Sequence, residues 1–372
     1  MAERNRAQNP PPPSRSDNGW LKGRGATKNE ASRYLARHSV PVDDGWSANE
    51  VDEPDGSRVA TELYPDRTVT LITRNASPDI PFDRSINPYK GCEHGCVYCF
   101  ARPTHAYLDL SPGLDFETKI FFKTNVRERL VDELGKRRYQ CRTIAMGTNT
   151  DPYQPAERHR RITRSVLETL LEARHPVSIV TKSQLILRDL DLLQELARQQ
   201  LATVAVSLTT LSNDLKTRLE PRTAGPGARL RVIRELRGAG VPVGVMVAPV
   251  IPFVNDHEIE DIVAAATDAG ARTANYILLR LPLEVSGLFE AWLGVHFPDR
   301  AERVMNAIRS ARGGKTYDAT WGKRMRGEGE VAELIAARFK VALRRNGILG
   351  ATQPPLRTDL FRPPGGSQLS LI

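Results

Sequence analysis

The chain has 372 residues and a formal net charge of +9, and its 40% hydrophobic and 26% charged content is ordinary for a soluble globular protein. It contains neither a run of about 18 apolar residues nor an apolar signal-peptide core, so we expect a cytoplasmic protein with no membrane segment. Residues 1–40 and 311–372 are both basic, which suits an anionic partner such as nucleic acid, although arginine-rich surfaces also occur without one.

The first part of the chain has little periodic apolar content. It contains the proline run Pro10–Pro13 and a glycine-rich stretch, LKGRGATKNE. This composition predicts a flexible basic leader over residues 1–45 and an N-terminal extension over residues 46–84.

From about residue 85, short β-branched runs alternate with amphipathic segments. The alternation predicts right-handed βαβ units, a parallel sheet and an α/β fold class. Six parallel strands form either an open doubly wound sheet or an incomplete barrel, and periodicity does not choose between them. The strands are predicted at residues 86–91, 142–148, 176–183, 202–210, 242–252 and 272–282.

Polar residues follow the predicted strands. Ligands of such folds bind at the carboxyl ends of the parallel strands, so this position favours a functional site. Loops after strands are commonly polar in any case, and the pattern therefore does not identify the ligand. The residues concerned are Thr148, Asn149, Thr150, Asp151, Lys182, Ser183, Ser207, Thr209, Thr210, Asn255, Asp256 and Arg280.

Three of the four cysteines lie within eight positions, in the stretch GCEHGCVYCF. In a reducing cytosol such a cluster favours a metal or redox site over a disulfide framework. A structural zinc site needs a fourth ligand, for which His94 and His105 are the nearby candidates. Cys92, Cys96 and Cys99 fit better to a four-iron cluster with one iron left open to an external ligand.

The spacing C-x3-C-x2-C followed by Phe100, on the loop after the first predicted strand, resembles the radical S-adenosylmethionine (SAM) superfamily. A closer resemblance covers most of residues 85–310 and is to the spore photoproduct lyase-like branch, whose members are often labelled DNA repair photolyase. Within that branch the chain looks most like a little-characterised bacterial group. The segments that carry the resemblance are PYKGCEHGCVYCFAR, GTNTDPYQPAE, VTKS, LEPRT, VAPVIPFVND and LRLP.

This resemblance implies an incomplete (βα)6 TIM-type barrel over residues 85–310. It implies a 4Fe–4S cluster and SAM as cofactors, and an electron donor such as flavodoxin or ferredoxin. In that superfamily the reduced cluster cleaves SAM to a 5′-deoxyadenosyl radical, which abstracts hydrogen from the substrate. Such a radical needs a closed and dry site, which a barrel mouth provides.

The resemblance also implies site residues. Cys92, Cys96 and Cys99 would bind the cluster. Tyr98 and Phe100 would lie beside SAM. The remaining implied SAM contacts are Thr148, Asn149, Thr150 and Asp151 at its amino group, Lys182 at its carboxylate, and Ser207 and Thr209 at its ribose or carboxylate.

Each of these residues also has a structural interpretation. Tyr98 and Phe100 suit packing, Lys182 suits a solvated strand end, and residues 148–151 suit a helix cap. We read the neighbouring charged residues as a surface cluster or a loop-orienting group, namely Arg218, Glu220, Arg222 and Arg280.

The chain departs from spore photoproduct lyase at one reactive position. That enzyme returns hydrogen to its product from a cysteine near the end of the second strand, where this chain has Gly147 or Thr148. Cys141 lies six residues before Gly147, about 20 Å away along a strand, and we interpret it as a small buried hydrophobe. The sequence therefore does not predict thymine-dimer repair, and the hydrogen donor stays open.

The sequence pattern changes after residue 310. It predicts a helical extension over residues 311–352 and a Pro/Gly-rich tail over residues 353–372. The final SQLSLI resembles the short peptide by which many bacterial repair and replication proteins bind the sliding clamp. Its contacts would be Gln368, Leu369, Leu371 and Ile372, with a hydrophobic tail-docking segment as the alternative.

Together these features predict a lyase-like radical SAM enzyme that acts on nucleic acid, in DNA repair or base modification. One alternative is the same chemistry on a protein or a small molecule. Another is a zinc-stabilised nucleic-acid-binding module without catalysis.

Overall fold

The computed structural model of the chain describes residues 23–30, 32–34 and 59–364. The predicted clamp-binding segment with Gln368, Leu369, Leu371 and Ile372 lies outside these residues, as does most of the predicted leader. Within these ranges, none of the helices combines the length and the apolar character that crossing a membrane demands.

The strands of the described residues form two sheets. The main sheet has the order β10-β9-β8-β7-β6-β3-β2, and a smaller one has the order β1-β5-β4. Their bounds are β1 (Glu62–Asp66), β2 (Thr73–Arg74), β3 (Arg84–Ile86), β4 (Tyr89–Lys90), β5 (Lys119–Lys123), β6 (Ile144–Met146), β7 (Val177–Thr181), β8 (Ala202–Ser207), β9 (Val243–Val250) and β10 (Ala274–Leu278).

Six strands of the main sheet are parallel, namely β3, β6, β7, β8, β9 and β10. Strand β2 pairs with β3 in the antiparallel direction. The central strands β7 to β9 are rich in buried valine, as expected where helices cover a parallel sheet. Strands β2 and β10 end the sheet on its two sides. The fold is therefore a partial TIM-type barrel, which confirms the predicted α/β class and incomplete barrel.

The first predicted strand is divided between the two sheets. Strand β3 ends at Ile86, and Tyr89–Lys90 pairs with β5 instead. Pro88 lies between them and has no N–H for a ladder hydrogen bond, which accounts for the break. The other five predicted ranges each contain one observed strand.

Helices follow most of the parallel strands and cover the sheet. Helix α8, for example, buries Ile259, Ile262, Val263 and Ala266 at helical spacing. The bounds are α1 (Asp115–Thr118), α2 (Val126–Leu134), α3 (Glu157–Arg160), α4 (Ile162–Glu172), α5 (Leu190–Arg198), α6 (Asn213–Leu219), α7 (Pro226–Gly238), α8 (Ile259–Asp268), α9 (Glu284–His296), α10 (Ala301–Ser310), α11 (Lys323–Arg326) and α12 (Gly329–Arg345).

The C-terminal helix packs against the last strand. Helix α12 buries Ala332, Ile335, Phe339 and Ala342 on one face. The ring of Phe339 lies 4.7 Å from that of Tyr276 on β10, measured between ring centroids. This contact covers the sheet at the edge where the βα units end.

Residues 23–30 and 32–34, which the composition placed in the leader, contact the folded domain. The N–H groups of Gly25 and Ala26 donate to the Glu117 carboxylate at 3.0 and 2.9 Å. A Cβ added to Gly25 would lie 1.8 Å from the Gly95 carbonyl oxygen, so only glycine allows this approach. Hydrophobic periodicity gives no signal for such contacts, because they are made by backbone atoms.

Glu117 also forms an ion pair with Arg102, and both side chains are fully buried. Arg102 Nε donates to the Cys96 carbonyl at 2.9 Å, and its Nη1 donates to the Gly113 carbonyl at 2.8 Å. The pair therefore joins residues 25 and 26 to the loop that carries the cysteines.

We expect Glu117→Ala to lower the free energy of unfolding by about 3–5 kcal/mol, because it leaves the buried Arg102 charge without a partner. Urea unfolding followed by circular dichroism measures the change. Glu195→Ala is the matched control, since it removes an exposed partner of Arg198 on α5, and we expect no measurable effect. Equal stabilities of the two variants would contradict the prediction.

Candidate functional site

A cavity opens at the carboxyl ends of the parallel strands and receives residues from the cysteine loop and from β6 to β10. Most of the predicted site residues line it. Thr150 and Thr209 do not, and are buried beside it. The predicted residues that do line it are Cys92, Cys96, Tyr98, Cys99, Phe100, Thr148, Asn149, Asp151, Lys182 and Ser207.

The cysteine loop, residues 91–101, is held by backbone contacts on two sides. The Cys92 N–H donates to the Phe116 carbonyl at 2.9 Å, and the Val97 N–H donates to the Leu219 carbonyl at 3.1 Å. Gly95 has a φ of +67°, and a Cβ there would lie 2.7 Å from Glu117 Oε2. The loop path therefore requires glycine at this position.

The three thiols lie in a buried setting. Cys92 and Cys96 are buried and Cys99 is partly buried. Burial raises the pKa of Cys92 well above its ordinary value and raises that of Cys96 to about 12. Thiolates at these positions therefore need a bound cation to compensate for their lost hydration.

Among the described side chains, no three His, Cys, Asp or Glu groups are close enough together to hold a single metal ion. A four-iron cluster has a different requirement, since each cysteine binds its own iron. Three thiols around one cavity, two of them buried and one partly buried, fit this donor set. Cys141 does not line the cavity, and burial raises its pKa to about 11.

The two histidines near the thiols have other partners. His94 Nδ1 lies 3.4 Å from Asp151 Oδ2. His105 Nε2 lies 3.0 Å from the Lys119 carbonyl oxygen, and its ring packs against Phe116 with centroids 5.4 Å apart.

A buried carboxylate, Glu220, organises one wall of the site. It accepts hydrogen bonds from the Tyr98 hydroxyl and from Arg229 Nη2, and the Thr209 hydroxyl lies 2.7 Å from its Oε1. Burial opposes ionisation, but Arg229 and Lys182 lower the pKa of Glu220 to about 2. The expectation that Glu220 belongs to a surface cluster is wrong, because its side chain is fully buried. Its place in the LEPRT segment of the resemblance was the available signal.

Lys182 presents an unpaired ammonium group to this cavity. Its Nζ lies 5.9 Å from the Tyr98 ring centroid, and within the described part of the chain it has no ion-pair or hydrogen-bond partner. Burial disfavours its charge, but Cys96 and Glu220 raise its pKa above the ordinary value. The group is thus a cation available to an anionic ligand.

Asp151 is committed to protein donors. Its oxygens accept from the Thr181 hydroxyl at 2.7 Å, from the Lys182 N–H at 2.8 Å and from the Tyr153 N–H at 2.9 Å. Burial opposes its ionisation, but His94 and these hydrogen bonds lower the pKa of Asp151 to about 2. Its carboxylate therefore fixes the backbone that carries Lys182.

Asn87, which sequence analysis did not single out, orients the loop after β6. Its Oδ1 accepts from the Asn149 N–H at 3.1 Å, and its amide lies 3.3 Å from the Thr148 hydroxyl. Thr150 turns away and donates to the Tyr89 carbonyl at 3.1 Å. Asn87 follows β3 at the same end of the sheet as the other site residues. Its position directly after a strand is the sequence feature that could have identified it.

Two residues, Gly147 and Thr148, are candidates for the position of the hydrogen-donor cysteine in spore photoproduct lyase. Gly147 has no room for a side chain. Gly147 has a φ of +86°, and a Cβ there would lie 2.0 Å from the Val180 carbonyl oxygen. The other aligned residue, Thr148, lines the cavity with a hydroxyl instead of a thiol.

Ser207 and Arg280 also line the cavity. The Ser207 hydroxyl donates to the Ala248 carbonyl at 3.2 Å. The Arg280 guanidinium carbon lies 4.6 Å from the centroid of the Phe100 ring, in cation–π geometry. Phe100 keeps 41% of its surface exposed, so it is not a core packing residue.

Comparisons with known proteins agree with this arrangement. Residues 86–266 match the family model of the radical SAM superfamily. Uncharacterized proteins of Mycobacterium tuberculosis and Mycobacterium bovis are 40% identical over 289 residues, which is 75% of this chain and 85% of theirs. An uncharacterized protein of Methanocaldococcus jannaschii is 28% identical over 221 residues, 59% of this chain and 79% of that protein.

Among solved structures, spore photoproduct lyase complexed with dinucleoside spore photoproduct matches with a TM-score of 0.53 and 15% identity, over 76% of this chain and 79% of that one. A variant of that lyase with bound AdoMet, another name for SAM, matches with a TM-score of 0.52 over the same shares at 14% identity. At these identities the likeness is one of fold.

The ionised Glu220 carboxylate predicts a loss of stability in acid. Its pKa is about 2 in the folded chain and 4.5 ordinarily, so its contribution is complete above pH 4.5 and is lost as the pH falls towards 2. The full loss is on the order of 3 kcal/mol. We expect Glu220→Gln to be less stable at pH 7 and to lose less stability over that acid range.

Urea unfolding of the metal-free protein between pH 7 and pH 2.5 measures this dependence. Glu330→Gln, at an exposed position on α12, is the matched control and should keep the wild-type dependence. An identical pH dependence in the Glu220→Gln protein would contradict the prediction.

Proposed function

The chain belongs to the radical SAM superfamily and is a radical SAM enzyme, and from this premise we propose that Cys92, Cys96 and Cys99 bind a 4Fe–4S cluster and that the adjoining cavity binds SAM. One observation carries the proposal: two buried thiols, a partly buried third thiol and the unpaired Lys182 ammonium line the same cavity. Thiolates suit iron, and an ammonium suits the carboxylate of an amino acid.

The side chains around the cavity have different roles in the proposed binding of SAM. Lys182 binds the SAM carboxylate. Asp151 fixes the backbone of Lys182, and Glu220 fixes the Tyr98 hydroxyl and attracts the Lys182 ammonium group. Tyr98 and Phe100 flank the bound molecule, and the remaining polar groups that line the cavity are Thr148, Asn149 and Ser207. When bound, the reduced cluster and SAM supply a 5′-deoxyadenosyl radical that abstracts hydrogen from the substrate.

We place nucleic acid first as the substrate class, in DNA repair or base modification in the cytoplasm. The shared fold with a lyase solved in complex with a dinucleoside photoproduct supports this, as do the two basic ends of the chain. An electron donor such as flavodoxin or ferredoxin would supply the electron that reduces the bound cluster. The alternative is the same radical chemistry on a protein or a small molecule. In that case we expect the protein either not to bind DNA or RNA or to bind them with an affinity that does not depend on salt concentration.

The proposed radical chemistry predicts 5′-deoxyadenosine. We expect anaerobically reconstituted, dithionite-reduced protein to form it from SAM, and Cys96→Ala to form none, because one iron ligand is missing. Cys141→Ala, which removes the thiol outside the cavity, is the matched control and should retain product formation. No product from wild-type protein with a full complement of iron and sulfide would overturn the proposal, and zinc in place of iron would favour a zinc-stabilised binding module.

The proposed role of Lys182 predicts weaker SAM binding in Lys182→Met. Loss of one charge-assisted hydrogen bond of about 1.5–3 kcal/mol corresponds to a rise of roughly 10- to 100-fold in the Kd for SAM. Equilibrium dialysis with the reconstituted protein measures it. Lys340→Met, at an exposed position on α12, should bind SAM as the wild type does. If Lys182→Met has the same Kd for SAM as the wild type, Lys182 does not bind the SAM carboxylate.

We also propose that the terminal segment binds the sliding clamp through Gln368, Leu369, Leu371 and Ile372. The support is the pattern SQLSLI after a Pro/Gly-rich tether. We expect deletion of residues 367–372 to abolish clamp binding measured by surface plasmon resonance. Equal binding by the full and the shortened chain, or none by either, would contradict this proposal.

A further inference from the structure

Residues 312–327, called here the bridging segment, connect the two sides of the incomplete barrel. At one side the buried Arg312 donates from Nη2 to the carbonyls of Leu278 and Leu279, at 3.2 and 2.9 Å, where β10 ends. At the other side Arg324 Nε donates to Asp79 Oδ2 at 2.7 Å. Asp79 lies between β2 and β3, so the segment spans from one edge of the main sheet to the other.

The inner side of the bridging segment contacts Arg280 at the mouth of the cavity. Arg280 Nη2 lies 3.5 Å from the Tyr317 hydroxyl, and its Nη1 lies 3.5 Å from Met325 Sδ. Its guanidinium also stacks on the Phe100 ring, and its buried Nε has no hydrogen-bond partner among the described residues. In the described parts of the chain, no carboxylate forms an ion pair with Arg280. The cavity mouth thus carries an uncompensated cation stacked on an aromatic ring.

The bridging segment also carries an exposed aromatic ring and exposed basic groups. Trp321, which lies between Tyr317 and Met325 in sequence, keeps 60% of its surface exposed. Of its five basic residues, Arg312 binds backbone carbonyls, and Lys323 and Arg324 form ion pairs with Glu328 and Asp79. Lys315 and Arg326 are exposed and form no ion pair within the described ranges, and the Arg326 guanidinium carbon lies 3.9 Å from the centroid of the Tyr276 ring. The segment therefore combines one exposed indole ring with two exposed cations.

We propose that the bridging segment, together with Phe100 and Arg280, binds an unpaired nucleobase and its flanking phosphates at the mouth of the cavity. The inference rests on the proposed function, whose substrate class it narrows to single-stranded or extruded bases. An unpaired base exposes a π-face to aromatic rings and guanidinium groups, whereas a base within a duplex is stacked on its neighbours. Lys315 and Arg326 suit the phosphates on either side.

An acidic peptide is the main rival occupant. It would satisfy the positive charge of Lys315 and Arg326, but it offers no π-face to the exposed rings of Trp321 and Phe100. Aromatic residues interleaved with basic ones are typical of surfaces that bind single-stranded nucleic acid. The chemistry of the surface therefore favours nucleic acid over peptide.

The test is fluorescence anisotropy of a labelled single-stranded oligothymidylate of about twelve nucleotides with the reconstituted full chain. We expect Trp321→Ala to weaken binding about 10-fold, as loss of one base stack does, and Trp321→Phe to restore most of it. Leu334→Ala is the matched control, because Leu334 on α12 is 61% exposed and lies outside the bridging segment. We expect it to bind as the wild type does.

Equal affinities of wild type and Trp321→Ala would overturn the inference. Displacement of the oligonucleotide by poly-glutamate as readily as by unlabelled oligothymidylate, or equal affinity for a duplex, would also overturn it. Circular dichroism of Trp321→Ala verifies that the variant is folded. Formation of 5′-deoxyadenosine by the same wild-type preparation tests the proposed radical chemistry separately from nucleobase binding. If the product forms but Trp321→Ala binds the oligonucleotide as the wild type does, only the role of the bridging segment is rejected.

Discussion

The buried ion pair between Arg102 and Glu117 is the interaction on which the cysteine loop depends. Arg102 holds the loop through the Cys96 carbonyl, and Glu117 holds residues 25 and 26 against the outside of the same loop. A buried charge is costly unless it is paired and hydrogen-bonded, and here the carboxylate is satisfied by three donors. The pair thus makes one geometry of the loop far more favourable than its alternatives.

A second buried pair, Arg229 and Glu220, supports another part of the cavity. Arg229 also donates to the Ser207 carbonyl at 2.9 Å, so the pair joins the end of β8 to the segment after α6. Glu220 in turn holds the Tyr98 hydroxyl and attracts Lys182. The two ion pairs together place thiols, an aromatic ring and a free cation around one space before any ligand binds. Such preorganisation lowers the cost of ordering side chains on binding.

The incomplete barrel creates a second requirement, since the main sheet has two edges where a closed barrel has none. The segment from Arg312 to Gly327 crosses between those edges and is fixed at each by an arginine. Within this segment Tyr317 and Met325 contact Arg280, which lines the cavity. The arginines that join the two edges therefore also hold these side chains beside the cavity.

The sequence by itself determined the α/β class, five of the six parallel strands and the cysteine motif, because periodicity and short spacing are local properties of a chain. It also indicated most of the residues that line the cavity, since each follows a strand. Only the tertiary structure decided the division of the first strand, the packing of residues 23–30 and 32–34, and the contacts of Asn87, Glu220 and the bridging segment. These depend on contacts between distant residues, such as Gly25 with Glu117, 92 positions apart. No local pattern specifies which buried charge meets which partner, and that pairing is settled only when the chain is packed.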